Sequence, residues 1–403
     1  MTELGQANGK RSRKEEDATA DRSSHLPDSI IHHILSLLDD TKSAVQTCIL
    51  SQLWRSFWKH VPVLTLHRLS FQKYSSFCRY VDEVLSLRNP LINARKIIYT
   101  DKERYENIDR RLLIRVIQYA ASHGTQLLVL DEDTVLASSV EEDFRFSQFF
   151  APILNSNLKT LEFRGYMVLD SGMGSPGFRN VTTLDLDRCV LYSDAEEEWD
   201  PDPFSNFPCL ENLVLKDCYY GSTFYSGNRT LRISGLSLLS LKLVDMDDGS
   251  SIEIFAPRLK FFSLSSQGPF KGFKIISVPS LEHSYIKAYN FYHDKGGRKE
   301  LVQRHLISLF QALNNAKALT LHSWTISVLT EFYELLEQPS PFKRLESLIV
   351  DGDSIPCKLI GYFLKGDMKI GHHPGLSILK KCHLALAHPE ELSRYEEEEI
   401  EGK

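Results

Sequence analysis

The sequence predicts an α/β repeat protein in which a small N-terminal domain of three helices precedes a solenoid of stacked, irregularly spaced strand units. Three observations lead to this prediction. Residues 24–62 have the apolar spacing of short helices. Downstream, one apolar motif recurs along most of the chain. Several connections between copies of that motif have helical periodicity of their own.

The N-terminal stretch, residues 24–62, organises the rest of the chain. Pro27 suits the start of a helix, where its missing N–H is no loss, and Asp28 favours the positive end of the helix dipole. Further short helices are predicted around residues 44–49 and 54–58. The stretch has more large apolar side chains than three short helices need for a core, so we expect a partner to cover part of it. The first helix is predicted from apolar residues at spacings of three and four: Ile30, Ile31, Ile34, Leu35 and Leu38.

The recurring motif is an apolar residue, two others, an apolar residue, one other and an apolar residue. The intervals between copies run from 21 to 35 residues, against roughly 20–29 in leucine-rich repeats. Each copy predicts a short strand with one apolar face, and stacked copies share a core, with the strands on the concave side. Clear copies start at Leu158, Val181, Leu210, Leu238, Leu259 and Leu345, and weaker ones at Val61, Ala94, Thr125, Leu281 and Ala316.

The connections between the strands are of two kinds. Helices are predicted within residues 112–120, 302–313 and 326–336 from their apolar periodicity. Residues 170–180 and 192–206 are rich in Gly, Pro, Asp and Ser, which predicts loops. Recognition of a partner, or insertions that the fold tolerates, would explain these loops equally well. Cys189 and Cys218 follow their strands by three residues, where leucine-rich repeats use Asn or Cys, and are predicted to be buried structural thiols.

The composition excludes several classes of protein. A net charge of −6 over 403 residues argues against a dedicated nucleic-acid binder. No apolar run approaches the roughly 20 residues that span a bilayer, and the polar first residues predict no secretory signal. The seven cysteines are odd in number and lack paired close spacing, which predicts free thiols in a reducing compartment.

The sequence contains no convincing catalytic or metal-binding pattern. The segment Gly172–Gly177 lacks the lysine of a phosphate loop and predicts an ordinary loop. Asp245, Asp247, Asp248 and Gly249 lack the spacing of a calcium loop and predict a turn after a strand. The pairs His372-His373 and Cys382-His383 are adjacent, unlike zinc ligands. We therefore predict no catalytic residues, no cofactor and no metal.

Four segments are predicted along the chain. Residues 1–22 form a disordered tail, 23–62 the helical domain, 63–385 the repeat domain and 386–403 an acidic disordered tail. The first tail contains a basic cluster at residues 10–14 that weakly matches a nuclear-import signal. We expect the protein in the nucleus, the cytoplasm or both.

The helical domain resembles an F-box, and the whole chain is similar to plant F-box/leucine-rich-repeat proteins. The resemblance rests on Leu26-Pro27, the Ile/Leu-rich helix after it, a second short helix, and Leu50-Ser51 followed by Trp54-Arg55, all in order. The usual plant form has basic residues near the Trp-Arg pair, whereas this sequence has Gln52 and Leu53.

This resemblance implies a substrate-recognition subunit of an SCF-type E3 ubiquitin ligase. The F-box would dock on an S-phase kinase-associated adaptor, which joins a cullin and a RING subunit, and the repeats would capture the protein to be ubiquitinated. Ile31, Leu35 and Cys48 are expected to face inward, and Trp54 is of the type that dominates interfaces. By position, the adaptor contacts are Leu26, Pro27, Ile30, Ile34, Val45, Leu50 and Trp54.

Two other functions remain open. One is a leucine-rich-repeat scaffold outside any ligase, with the N-terminal helices as a cap, and the other is a small-molecule co-receptor. We expect neither nucleic acid nor membrane as a partner. The target protein is not identified by the sequence, because the residues predicted to line the concave face have mixed charges: Lys159, Glu162, Asp185, Lys216 and Lys242.

Overall fold

A computed structural model gives the structure of the chain. The chain divides into two compact units, residues 1–135 with 155–158, and residues 136–154 with 159–403. The predicted boundary near residue 62 lies inside the first unit. The structure describes residues 26–52, 54–102, 110–132, 146–154, 156–170, 178–192, 202–220, 230–246, 251–266, 272–288, 299–331, 337, 339–351, 357–364 and 377–380.

Several predicted features lie outside the described residues. These include the two terminal tails and the basic cluster at residues 10–14. They also include the segment Gly172–Gly177, the pairs His372-His373 and Cys382-His383, and the middle of both predicted loops.

In the first unit, three short helices precede an alternation of strands and helices. The strands pair in parallel in the order β1-β2-β3. The periodicity of residues 112–120 correctly predicts α5, whose apolar side chains are buried. The helices are α1 (Asp28–Ser36), α2 (Thr41–Gln46), α3 (Trp54–Phe57), α4 (Tyr74–Leu87) and α5 (Arg110–Ser122), with short 3-10 helices at Thr47–Ile49, Trp58–His60 and Arg68–Ser70, and the strands are β1 (Val63–His67), β2 (Lys96–Asp101) and β3 (Leu127–Glu132).

In the second unit, most strands are five or six residues long and helices are concentrated toward the C-terminus. The helices are α6 (Phe146–Phe149), α7 (Lys299–Ala312), α8 (Ser323–Glu331) and α9 (Cys357–Leu364), with a 3-10 helix at Ala151–Ile153. The strands are β4 (Thr160–Arg164), β5 (Val168–Asp170), β6 (Thr183–Asp187), β7 (Val190–Tyr192), β8 (Asn212–Lys216), β9 (Tyr219–Tyr220), β10 (Thr230–Ser234), β11 (Ser240–Val244), β12 (Ser251–Phe255), β13 (Phe261–Ser266), β14 (Gly272–Ser277), β15 (His283–Ala288), β16 (Ala318–His322), β17 (Ser347–Asp351) and β18 (Ser377–Lys380).

The main sheet of the second unit is parallel, in the order β4-β6-β8-β11-β13-β15-β16-β17-β18. Each strand from β4 to β17 in this sheet begins two residues after the apolar residue that starts a copy of the motif, and β1, β2 and β3 follow the same rule. A mixed α/β fold built on parallel strands is therefore confirmed. It is consistent with a leucine-rich-repeat solenoid.

Some strands were not predicted. Two short parallel ladders, β5-β7-β9 and β10-β12-β14, form between residues that follow the main strands. In addition, β18 pairs with β17. The sheet therefore continues for one strand beyond the unit that starts at Leu345.

The inward side of the main sheet forms the core. Leu184, Leu213 and Leu241 occupy equivalent inward positions on adjacent strands and are fully buried. Cys189 and Cys218 are also buried, as predicted, and the Sγ–H of Cys218 donates to the Leu186 carbonyl at 3.4 Å. Aromatic rings fill the space beside the strands, including the group Phe146, Phe150, Phe178 and Phe207.

The turn after each of several strands repeats the same conformation. Arg188, Asp217 and Asp245 directly follow β6, β8 and β11 and have φ of 62°, 49° and 46°. Each donates its backbone N–H to a carbonyl of the next main strand, at 2.8–2.9 Å. The chain turns at Asp245 as predicted, while residues 247–249 of that predicted turn lie outside the described residues. These bonds extend the strand pairing by one residue.

Candidate functional site

Helix α1 separates a buried side from an exposed apolar side. Ile31 and Leu35 are 0% and 2% exposed, which agrees with their predicted inward position. Ile30 and Leu37 are 44% and 68% exposed. Because residues at spacings of four and seven share a side of a helix, Ile30, Ile34 and Leu37 form one stripe. Ahead of the helix, Leu26 is half-buried and Pro27 is exposed.

A second group of exposed apolar residues follows helix α2. Ile49 and Leu50 are 88% and 52% exposed, although they lie only a few residues from buried Trp54. Val45 on α2 is half-buried. Together with the residues of α1 these form the N-terminal apolar set: Leu26, Pro27, Ile30, Ile34, Leu37, Val45, Ile49 and Leu50.

Two members of this set, Leu37 and Ile49, were missed by the sequence analysis. The helical period was a usable signal for Leu37, since it lies seven residues after Ile30. No such signal existed for Ile49. It ends a 3-10 helix, and its exposure depends on how the chain turns there.

Trp54 does not lie with the N-terminal apolar set, so this part of the predicted contact surface needs correction. Its side chain is 3% exposed, and Phe57 and Trp58 beside it are also buried. The rings of His32 and Phe57 meet edge to face with centroids 5.1 Å apart, which packs α1 against α3. A bulky indole is buried here because short helices need large side chains to fill their core.

Helix α2 begins at a well-formed cap. Asp40 precedes it, and its Oδ1 accepts from the backbone N–H of Ser43 at 2.7 Å. The Oγ–H of Ser70 donates to Oδ2 of the same carboxylate at 3.1 Å. Burial alone would raise the pKa of Asp40, but these hydrogen bonds and His67 outweigh it, and the pKa is lowered.

The three helices are joined tightly to the first strand. The backbone N–H of Thr65 on β1 donates to Oγ1 of Thr41 at 2.8 Å, and buried Arg88 at the end of α4 donates to the Val61 carbonyl. The Asn89 N–H also donates to the Lys59 carbonyl at 3.3 Å. The helices and the first strand–helix repeat therefore pack as one body without a flexible linker.

In the second unit, four of the five residues predicted to line the repeat face lie on the outward side of the main sheet. Glu162, Asp185, Lys216 and Lys242 are half-buried there, in strands β4, β6, β8 and β11. Lys159 is different. It precedes β4, and its carbonyl accepts from the N–H groups of Thr182 and Thr183.

The outward face has local ion pairs. Arg164 lies 3.6 Å from Glu162, and Lys216 lies 3.7 Å from Asp187. Asp185 has a different environment. Its pKa is raised to about 6, chiefly by burial and next by the neighbouring carboxylate of Glu162.

The described residues contain neither a metal-binding group of side chains nor a membrane-spanning helix. Among them, no three His, Cys, Asp or Glu side chains are grouped to hold a metal ion. Within the same residues, every helix is too short or too polar to cross a membrane.

Comparison with known proteins gives a consistent set of relatives. No protein-family model matches the chain. An F-box/FBD/LRR-repeat protein of Arabidopsis thaliana is 26% identical over 359 residues, covering 81% of this chain and 68% of the relative. F-box/LRR-repeat protein 13 of the same plant is 24% identical, covering 85% and 73%. Another Arabidopsis F-box/FBD/LRR-repeat protein is 25% identical, covering 90% and 81%.

Proposed function

Since this chain is related to the plant F-box/leucine-rich-repeat proteins, we propose that it is the substrate-recognition subunit of an SCF-type E3 ubiquitin ligase. Residues 23–62 are then the F-box, and residues 63–385 form the leucine-rich-repeat solenoid. The F-box docks on the S-phase kinase-associated adaptor, which connects it to a cullin and a RING subunit. The repeats hold the target protein, in the nucleus, the cytoplasm or both.

The observation that carries this proposal is the exposure of the N-terminal apolar set beside a core that is already complete. Ile31, Leu35 and Trp54 close the interior of the helical stretch, while Leu37 and Ile49 remain more than half exposed. Burying one Leu or Ile in an interface contributes roughly 1.5–3 kcal/mol. Several of them together offset the cost of association, roughly 4–15 kcal/mol.

The corrected position of Trp54 changes its role within this proposal. Its buried side chain is part of the core that packs against α1 and the Ile49–Leu50 segment, and it stabilises the interface without belonging to its surface. The adaptor contacts are then the N-terminal apolar set alone.

The proposed contribution of the chain to ubiquitination is proximity. Holding a target near a ubiquitin-conjugating enzyme that carries ubiquitin raises the effective concentration of the target's lysines at that enzyme. This role needs no catalytic residue or cofactor in this chain. The tight contact between the helices and β1 supports this role, because a rigid junction limits the positions that a bound target can adopt.

The test measures the affinity of the full chain for the purified adaptor. We expect the double change Leu26→Ala with Pro27→Ala, and separately Ile30→Asp and Leu50→Asp, to abolish co-purification while circular dichroism stays unchanged. Leu91→Asp is the control, because Leu91 is an exposed leucine of the same unit that lies outside the N-terminal apolar set.

Two results would contradict the proposal at different levels. Full adaptor binding by all three variants would show that the contact residues are wrongly assigned. A wild-type chain that is a stable monomer without adaptor affinity would replace the ligase function with that of a repeat scaffold.

A further inference from the structure

The end of helix α1 carries an exposed serine beside the N-terminal apolar set. Ser36 is the last residue of α1, and the side chain of Leu37 after it is 68% exposed. The Ser36 side chain is exposed as well. Its hydroxyl donates to the His33 carbonyl at 2.7 Å, on the exposed surface of the same helix. Because water can replace such a local bond, the Ser36 hydroxyl is accessible for a reaction from solvent.

Acidic residues follow this serine at a defined spacing. Asp39 and Asp40 lie three and four positions after Ser36. The Asp40 carboxylate caps α2, whereas Asp39 is exposed. Acidophilic protein kinases recognise a carboxylate three positions after a serine, because basic side chains of the kinase pair with it. Ser36 and Asp39 together have this arrangement.

The spacing distinguishes Ser36 from its counterparts. Among the exposed serines of the described residues, Ser36 alone has an Asp or Glu three positions later. Ser86 is the most similar of the others. It is an exposed serine in the last turn of α4, its hydroxyl donates to the Asp82 carbonyl at 2.6 Å, and the exposed Leu87 follows it. At the position of the acid, however, it has Asn89.

The chain around Ser36 can enter the cleft of a kinase at little cost. Residues 37–40 belong to neither α1 nor α2. The Leu38 N–H donates to the Leu35 carbonyl at 3.4 Å, which is longer than the usual backbone bond of about 2.9–3.0 Å. Helix ends of this kind open locally at a low free-energy cost. Opening the segment after Ser36 leaves the buried side chain of Leu35 in place.

A phosphate on Ser36 would lie at an unfavourable position for docking. It adds about 1.5 to 2 negative charges at pH 7. The carbonyl end of α1 is the negative end of the helix dipole, and Asp39 and Asp40 lie close along the chain, so the added charge is repelled. An adaptor that covers Leu37 must also remove water beside the phosphate, which costs free energy.

We propose that Ser36 is a phosphorylation site for an acidophilic serine kinase and that its phosphate releases the chain from the adaptor. The Ser36 Oγ attacks the γ-phosphorus of MgATP, and the Oγ–P bond forms as the bond from that phosphorus to the β–γ bridging oxygen breaks. ADP leaves, and the hydroxyl proton passes to the catalytic carboxylate of the kinase. This inference rests on the proposed function, because it assigns a regulation to the same docking surface.

The first experiment treats the full, folded chain with casein kinase 2, an acidophilic kinase, and MgATP. Peptide mass spectrometry measures the phosphate on each serine. We expect modification of Ser36 and none of Ser86. Asp39→Asn should slow the modification of Ser36 at least tenfold, because it removes the carboxylate and keeps the serine. An unmodified Ser36, modification only after unfolding in urea, or a wild-type rate in Asp39→Asn would each overturn the proposal.

The second experiment measures adaptor affinity before and after the same treatment. Ser193 and Ser393 also have a Glu three positions later, so Ser36→Ala is treated in parallel as the control. Treatment should weaken adaptor binding of the wild-type chain at least tenfold and leave that of Ser36→Ala within twofold. An equal loss in Ser36→Ala would assign the effect to another serine and overturn the proposal. Unchanged binding by a chain that carries phosphate on Ser36 would overturn it as well.

Failure of this inference differs from failure of the proposed function. An untreated wild-type chain without adaptor affinity would contradict the ligase function, while mass spectrometry would still report the phosphate on Ser36. A chain that binds the adaptor equally with and without that phosphate would contradict the inference alone.

Discussion

The side-chain oxygen of Thr41, in the first turn of α2, accepts a 2.8 Å hydrogen bond from the backbone N–H of Thr65 on β1. Both residues are buried. This bond satisfies a donor on the first strand and fixes α2 against it. The helical stretch therefore covers β1, in addition to the docking role proposed for it.

Replacing Thr41 with Val should destabilise this junction. The shape of the side chain is kept, but the buried N–H of Thr65 loses its partner, at a cost of about 1–3 kcal/mol. Urea unfolding measures the loss. Thr47→Val is the control, because the Oγ–H of Thr47 donates only to the carbonyl of Ala44 in the preceding helical turn. Equal losses in the two variants would argue against a special role for the Thr41 bond.

Asp40→Ala should lower stability by about 1 kcal/mol, the usual effect of removing a helix cap. Asp39→Ala is the control, since Asp39 is an exposed neighbour. The lowered pKa of Asp40 sets the pH dependence. Its contribution is present above the unfolded pKa of about 3.8 and is lost as pH falls through the lower folded value. The difference between the two variants should therefore vanish in strong acid. A difference that persists there would mean that the charge of Asp40 is not involved.

Asp185→Asn should stabilise the protein. Its folded pKa of about 6 exceeds the unfolded value of about 3.8. The carboxylate therefore costs stability progressively as pH rises between these values, by about 1–2 kcal/mol after allowance for its partial exposure. Denaturant unfolding at pH 4 and pH 7 measures this gain, which should appear only at the higher pH.

Asp187→Asn is the matched comparison, two residues along the same strand. Asp187 is buried and paired with Lys216 and Arg188, so its loss should destabilise the protein. If both variants lose stability, the Asp185 carboxylate has a structural role.

Trp54→Ala and Leu50→Ala should separate stability from adaptor binding. Removing the buried indole should cost about 3–5 kcal/mol. Removing the exposed Leu50 side chain should change stability by less than about 0.5 kcal/mol but weaken adaptor binding. Thermal unfolding and adaptor affinity are measured on both. A stable Trp54→Ala variant with selective loss of adaptor would restore Trp54 to the contact surface.

Cysteine labelling should follow burial. Iodoacetamide is expected to modify the exposed Cys209 in the native protein and to leave Cys189 and Cys218 unmodified until the chain unfolds. Burial raises the pKa of the Cys189 thiol well above its usual value, which further reduces its thiolate fraction. Peptide mass spectrometry assigns the modified residues. Early labelling of Cys189 would show that the second unit opens locally.

The sequence by itself determined the strand positions of the repeats and the inward side of α1. Apolar periodicity is a local property of the sequence, because a helix or strand that buries one side needs apolar residues on that side, whichever elements it packs against. Thus the copy at Leu210 predicted β8, and Ile31 and Leu35 were placed inward correctly. A copy as degenerate as Leu281 was also followed by its strand, β15.

Only the tertiary structure decided which residues become neighbours. Trp54 and Leu50 are both apolar and four positions apart, yet packing buries one and exposes the other. The two short ladders, β5-β7-β9 and β10-β12-β14, and strand β18 depend on pairing with strands elsewhere in the chain. Asp185 and Lys242 are separated by 57 positions, and strand register alone places them in one row about 10 Å apart. Spacing within a sequence reports the local period of the backbone, whereas register depends on how distant strands fit together in the folded core.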